Sequence, residues 1–545
     1  MTQPLLQVTG LSRSAADVRL PDMVYGVPVL CPLACADVLA IEAEPLVSQR
    51  GVRAVLTEDS VLSGQGQRFQ RLLGQLLTKR VRRAGQVVAL VLADSPWLAK
   101  SVARQVSLRI REQAGPLSVQ AAIAMGGSLQ PIRRSSGQPA EAFADSRTRL
   151  HQTYRTSARL VGDVAHGTAT AVWRGDSLTV YAIGASKQML GTQLGLPEDK
   201  LLVVSSELGD SRSLTSSSSL LAAIASAHLD RPVCVELPAL CIAGTLPETI
   251  QTLQLGLLAD DLPSALLLHG AVAGSFSGQP SELSVMDLGS AYGFSARELS
   301  LLPLAVHLPT SDRFVGIELA LSLEVAIDEL ATQRSEDPLQ LRLRWLSDRP
   351  EGAPLRRCLT QLQKLLGDGK PSVPRSKDAS SGSLLGRKIG VGTAAAVWRS
   401  ASGTLQFGAH AIEVAVSSGR IELVRHACVL ETDLVSDGAE SVVRKSLAWA
   451  RKVALRRSLV LSRRSGWTSS SPDEAARSTT VANLAVSLLP SGAPGSVRTN
   501  PDDLAMLAAS GVAAAIANAL SSALGVRQRT VCPSGVEGTS GSTVG

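Results

Sequence analysis

The chain has 545 residues, an apolar fraction of 45%, an aromatic fraction of only 3% and a formal net charge of +7. That length exceeds one ordinary core and implies about two to four domains, packed through many small Leu, Val and Ala contacts rather than through rings. The basic clusters at 79–83 and 444–464 have only Trp449 and Trp467 as neighbouring aromatics, so they read as solvated faces and not as a nucleic-acid track. The seven scattered cysteines contain no CxxC pair and speak against a disulfide framework or an iron–sulfur cradle.

The opening MTQPLLQVTG has no basic stretch followed by an apolar core, so no signal peptide is expected, and reduced thiols suit a cytoplasmic setting. Cys31 and Cys35 have ligand-like separation, but no second pair lies nearby to complete a zinc site. Thr57-Glu58-Asp59 has the form of a helix start, with Thr57 as the cap and acids in the first turn. Val87–Leu92 is a continuous apolar run, as in a strand buried on both faces. Pro96 then suits a first helical turn, and Leu98, Val102 and Val106 give one apolar helix face before Ser107–Ile110 returns to extended structure. The result is a β-α-β-α-β arrangement ending near residue 120.

Ser135–Gln138 is polar and predicts a linker. Thr168–Trp173 and Ser177–Tyr181 flank Arg174-Gly175-Asp176, a hairpin signal. The serine run Ser216–Ser219 precedes a helix over Leu220–His228, and Arg231-Pro232 breaks it before a strand over Val233–Leu237. Phe314–Thr332 predicts a long helix with Leu319, Leu323, Ala326, Ile327 and Leu330 along one face, and Asp337-Pro338 opens a shorter one.

Pro371–Ser383 is the clearest linker. Ile389–Trp398 and Phe407–Val416 predict strands, and Ser417-Ser418-Gly419 a turn into a third over Arg420–Leu430. Ser441–Leu455 predicts a basic amphipathic helix with Val442, Leu447, Trp449, Val453 and Leu455 on its apolar side, and Ser469–Thr480 a loop. Leu504–Val526 carries no charge before Arg527 and is long enough to cross a bilayer, but its Ala, Ser and Asn518 content favours a buried helix of a chain without a membrane span. Residues 533–545 have the composition of a disordered tail. The seven histidines, including His410 and His426, form no HxH or HxxxH pair and read as ordinary core or surface residues.

Several segments in order resemble the large subunit of the xanthine dehydrogenase and aldehyde oxidase family of molybdenum hydroxylases. They are Val8-Thr9-Gly10; Asp17–Pro21 with Tyr25-Gly26; Gly51–Thr57; Gly85–Val91; Tyr154-Arg155-Thr156; Ala171-Val172-Trp173; Leu178–Tyr181; Leu194–Pro197; Ala326–Ala331 with Asp337–Arg342; and Val512–Leu520 with Gly525-Val526-Arg527. The resemblance implies an α+β fold. An α/β hammerhead domain at 1–120 is followed by a shortened two-part molybdopterin-binding domain at 145–370 and 385–532, and a tail at 533–545.

The same resemblance says what a working site needs: glycine-rich turns that let backbone amides approach a pterin, and a glutamate as general base. Here the first turn reads Leu208-Gly209-Asp210-Ser211-Arg212-Ser213, and the turn before the long helix reads Arg313-Phe314-Val315-Gly316. Gly209, Arg313 and Gly316 are thus the remnants of cofactor binding that the resemblance points to. Only Arg399–Gln406 joins two strands where the family carries a large insertion. Ser441–Leu455 stands where a glycine- and glutamine-rich helix is expected. The glutamate position falls at Ala505-Met506, with Asp502 and Asp503 nearby but about a helical turn, roughly 5 Å, away. These departures predict a degenerate homologue with no catalytic residue and no metal ligand, holding no molybdenum cofactor. It would act as a scaffold pairing with a molybdenum hydroxylase chain of the same family or with an iron–sulfur or flavin subunit. The alternative is an active molybdenum-dependent oxidoreductase that binds a molybdopterin-type cofactor and hydroxylates an aldehyde or N-heterocycle with water-derived oxygen.

Overall fold

The computed structural model describes residues 15–65, 69–83, 85–126, 130–160, 166–183, 187–206, 216–238, 241, 245–274, 284–307, 315–346, 352–367, 388–400, 403–417, 420–433, 437–455, 460–462, 466–468, 481, 483–490 and 501–531. The expected linker at 371–383, the loop at 469–480 and the tail at 533–545 lie outside them.

The N-terminal part runs β1 (Val24–Leu30), β2 (Ala36–Glu42), β3 (Val52–Thr57), α1 (Glu58–Gln65), β4 (Arg80–Val81), β5 (Val87–Ala93), α2 (Pro96–Ala103) and β6 (Ser107–Glu112). Thr57 caps α1 as its sequence implies: its Oγ1 accepts from Ser60 N at 3.2 Å. Ser95 caps α2 by accepting from Leu98 N, and Pro96 occupies its first turn. Every residue of β5 is buried, because β1 and β3 flank it and layers cover both faces.

The chain continues through β7 (Ile132–Ser136), β8 (Thr148–Thr156), β9 (Arg159–Leu160), β10 (His166–Arg174), β11 (Ser177–Ile183), β12 (Leu201–Ser206), α3 (Ser216–Leu229) and β13 (Val233–Pro238). The hairpin expected around Gly175 is β10–β11, with Gly175 at φ +58°. Two features differ from the sequence reading. Ile132–Ser136 is an edge strand and not part of a linker: a single neighbour is all an edge must satisfy, which polar residues do well. The serine run belongs to α3, with Ser218 and Ser219 fully buried, since a hydroxymethyl is small enough for a helix pressed against a sheet.

Next come β14 (Thr245–Leu246), β15 (Thr249–Leu257), β16 (Pro263–Ala273), β17 (Ala296–Leu304), α4 (Val315–Gln333), α5 (Pro338–Trp345) and α6 (Ala353–Leu366). The last stretch is β18 (Lys388–Arg399), β19 (Leu405–Ser417), β20 (Arg420–Thr432), α7 (Asp437–Leu455), β21 (Val460–Ser462), β22 (Gly466–Thr468), β23 (Asn483–Pro490), α8 (Pro501–Ala509), α9 (Val512–Leu524) and β24 (Thr530–Val531).

These strands build a seven-stranded sheet in the order β12-β11-β10-β13-β1-β5-β3, a six-stranded sheet β24-β8-β15-β16-β17-β7, a four-stranded sheet β18-β19-β20-β23 and a three-stranded sheet β4-β2-β6. The seven-stranded sheet crosses residue 120, because β1 pairs in parallel with β13 through Val24↔Val233 to Gly26↔Val235. The largest core lies where α4 packs between the six-stranded sheet and β18 with α9.

That position explains α4. The sequence pattern marks one apolar face, but the helix is buried all round. Four acidic side chains are buried with it, and each meets an arginine from another element: Glu318 with Arg159, Glu324 with Arg342, Asp328 with Arg527 and Glu329 with Arg529. A carboxylate enclosed by layers on every side loses its hydration, and the paired guanidinium supplies the charge that offsets the desolvation. Burial pushes the Glu318 carboxyl up from its ordinary value against the pull of Arg159, and pushes Asp328 up against Arg342 and Arg527.

The apolar stretch expected as one buried helix is two, α8 and α9, broken at Gly511 with φ +82°. By length and composition the span Asp503–Leu524 would cross a membrane, but 94% of its apolar window is buried inside the fold. It is a core element whose small residues allow contact at backbone distance: a Cβ on Gly392 would lie 2.2 Å from Ala515 O and Ala519 N.

Candidate functional site

The residues singled out in the sequence come from the turn before α4, the β18–β19 join, α7 and the α8–α9 segment. Gly209 and Arg313 lie outside the described residues. Gly316 is buried as the second residue of α4, next to Ile317 and two residues before the Arg159–Glu318 pair. The join between β18 and β19 is short: Arg399 pairs with Leu405 across the hairpin, and its guanidinium bonds Asp287 at 2.9 and 2.5 Å.

Met506 sits inside α8 at 4% exposure, between Ala505 at 4% and Leu507 at 0%. Of the two nearby acids, Asp503 accepts a hydrogen bond from Trp398 Nε1 at 2.9 Å, which ties it to β18. The Asp502 side chain lies outside the described residues. Among the described residues no group of three or more His, Cys, Asp or Glu is arranged to hold a metal ion. A cleft of about 380 Å³ lies elsewhere, between β1, α2 and β13, with Lys100, Arg104 and Glu236 among its walls.

Helix α7 is amphipathic as its sequence implies, with one shift of face: Val443 is fully buried and Val442 only partly, while Leu447, Trp449, Ala450, Val453 and Leu455 line the core side. Its Arg451 also turns inward, at 5% exposure.

There the structure brings together two histidines that show no pairing motif in the sequence. His410 of β19 and His426 of β20 are both fully buried and bonded, His410 Nδ1 to His426 Nε2 at 3.2 Å. Arg451 Nη1 reaches His426 Nδ1 at 3.1 Å. His410 Nε2 has no hydrogen-bond partner among the described residues, and the ring lies beside the Ser510 backbone. Burial pulls the His410 imidazole down to about 4, against a smaller opposing effect of the Ser510 backbone. Burial, then His410, then Arg451 hold His426 well below the ordinary imidazole value. Burial also lowers Arg451 to about 10, with Cys428 opposing. The pairing was latent in the sequence: His410 and His426 are symmetric about Ser418 in the expected turn, which places them across a hairpin. The closing pair Ser417↔Arg420 would by itself set His410 opposite Ala427; the register shift between Glu413 and Val414 sets it opposite Cys428, which makes the two histidines diagonal neighbours on one face.

Comparison with known proteins places this architecture. Residues 9–114 match the a/b hammerhead domain of aldehyde oxidase and xanthine dehydrogenase. The aldehyde oxidoreductase molybdenum-binding subunit PaoC of Escherichia coli K12 is 26% identical over 370 residues, covering 62% of this chain and 48% of PaoC. The chain therefore spans about half the length of that curated relative. Among solved structures, the aldehyde oxidoreductase of Desulfovibrio gigas superposes with a TM-score of 0.78 at 15% identity, over 97% of this chain and 79% of that one. Quinoline 2-oxidoreductase of Pseudomonas putida 86 superposes with a TM-score of 0.79 at 14% identity, over 97% and 96%. The hammerhead and the sequence likeness make the chain similar to molybdenum-binding subunits of aldehyde oxidoreductases, and the layered fold behind the hammerhead is the one those solved structures share.

Proposed function

We propose that this chain is a non-catalytic scaffold of the family, acting in the cytoplasm and pairing with a molybdenum hydroxylase chain or with an iron–sulfur or flavin subunit. The reading is carried by Met506: at the position where the resemblance puts the general base stands a thioether at 4% exposure, flanked by apolar residues. A thioether takes no proton in this range, and the nearby Asp503 is engaged by Trp398. On this reading the described residues do not suit a pterin-bound molybdenum centre. The α7 helix fills its inner side with Leu447, Trp449 and Val453, so no backbone there is open to close approach.

The runner-up reading, a working molybdenum oxidoreductase acting on aldehydes or N-heterocycles, draws support from the kinship with PaoC, a molybdenum-binding subunit by name. Purification from the native source followed by metal analysis by mass spectrometry separates the two. The scaffold reading expects molybdenum far below one atom per chain and no aldehyde or purine oxidation by the isolated chain. Molybdenum near one atom per chain overturns it. Co-purification of a molybdenum hydroxylase chain tests the pairing itself.

A further inference from the structure

The Arg451–His426–His410 chain is not used by the scaffold reading, and its polarity is fixed from one end. A guanidinium has donors and no acceptor. His426 Nδ1, 3.1 Å from Arg451 Nη1, must therefore offer a lone pair, and the proton of that ring sits on Nε2. That N–H points at His410 Nδ1, 3.2 Å away, which must accept in turn. The His410 proton is then on Nε2, which has no acceptor among the described residues, in a ring that lies beside Ser510 and Gly511. Both rings are held neutral and in one tautomer by geometry alone. A metal ion between the two nitrogens is disfavoured by the same polarity. Ligation through His426 Nε2 would move that ring's proton to Nδ1, against the guanidinium.

A second proton on either ring converts its acceptor into a donor. His426 would then oppose Arg451, and His410 would oppose the His426 N–H. No water reaches either ring to absorb the charge. We propose that this chain is an acid-sensitive latch that holds α7 against the four-stranded sheet, with α8 and α9 packed beside α7. It ties two layers by side chains of three elements: Arg451 of the helix α7, and His426 of β20 and His410 of β19 in the sheet.

The groups that face the pair agree with this direction. On the same side of the sheet, α7 contributes Arg451 and β20 contributes the Cys428 thiol, while α8 and α9 present the Ser510 and Gly511 backbone. From the opposite side α6 brings Cys358, and its Arg357 is engaged with Glu431. No carboxylate among the described residues bonds either imidazole, so no counter-charge awaits a protonated ring.

The test is hydrogen exchange by mass spectrometry on the full chain at pH 7.5 and pH 5.0, with rates corrected for intrinsic pH dependence. An imidazole that regains its ordinary pKa of ~6.5 on opening favours the open state by about 30-fold at pH 5.0, and two by about 1,000-fold. Peptides from α7 and from α8–α9 are expected to lose protection by at least tenfold at pH 5.0, while peptides from β5 do not. The variant His410→Gln with His426→Gln keeps the chain's polarity, since an amide accepts through Oε1 and donates through Nε2 without titrating. It is expected to respond to acid less than about threefold. An unchanged wild-type protein, or a double variant as acid-sensitive as the wild type, overturns the latch. Should that variant not fold, ¹⁵N imidazole shifts of the unmodified chain decide: two rings in the neutral Nε2–H form at pH 7.5 are required, and an Nδ1–H form or a cationic ring overturns the latch.

Discussion

Arg342→Met removes the cation at the centre of the largest core. Arg342 is fully buried and donates through Nε to Glu324 Oε2 at 2.9 Å, through Nη2 to the Glu324 carbonyl at 2.9 Å, and through Nη1 to Pro338 O and Thr393 Oγ1 at 3.1 and 3.3 Å. Burial pulls its pKa down, but Glu324, Tyr292 and Asp328 outweigh that and hold it above the ordinary value. Methionine matches much of the stem volume and none of the charge. Glu324 would keep two donors, Tyr292 Oη at 2.7 Å and Ala395 N at 2.7 Å, and lose the one counter-charge that pairs with it among the described residues. Breaking a buried pair from one side costs about 3–5 kcal/mol, a large share of the ~5–15 kcal/mol that holds a domain together. Guanidinium unfolding followed by tryptophan fluorescence reads this core directly, because Trp345 packs edge-on against Tyr292 and Phe294. Arg342→Met with Glu324→Gln should regain about 1–3 kcal/mol, since the amide oxygen still accepts from Ala395 N and no charge remains. A loss below about 1 kcal/mol for the single variant, or no recovery in the double, would refute charge compensation as the role of Arg342.

Other expectations follow from the same contacts. Gly392→Ala should lower the melting temperature by an amount matching about 2 kcal/mol or more, because the added Cβ meets α9 backbone and not a flexible side chain; an unchanged melting temperature refutes that packing. Met506→Glu should destabilise by about 2 kcal/mol or more by placing a carboxyl among apolar neighbours, read in the same melt. A variant as stable as the parent would reveal polar room there and undercut the scaffold reading. His410, held at about 4 when folded and near 6.5 when unfolded, gives stability that is fully present above pH 6.5 and is lost as pH falls toward 4, about 3 kcal/mol in all. His410→Gln should flatten the acid limb of a stability–pH curve. Ser95→Ala should cost about 1 kcal/mol through loss of the α2 cap, measured by unfolding of the N-terminal part.

Periodicity and punctuation were enough for the local elements. Thr57 and Ser95 mark helix starts by chemistry that needs only the next three residues, Gly175 marks a hairpin by its own backbone, and the all-apolar run Val87–Leu92 declares a strand covered on both faces. The segments taken in order from Val8 to Arg527 carried the family likeness, and the expectation that Met506 stands at the glutamate position came from that likeness alone. What periodicity cannot express is which layers enclose an element. Nothing in Val315–Gln333 tells that four arginines from distant positions reach its acids, so a pattern with one apolar face hides a helix buried on every side. The pairing of β1 with β13 spans more than two hundred residues, and local pattern holds no record of it. The His410–His426–Arg451 chain needs a hairpin register and the inward turn of one residue on a basic helix. The amino acids set the chemistry available at each position. Only enclosure by neighbouring layers, which removes water and fixes the direction of each proton, decides how that chemistry is used.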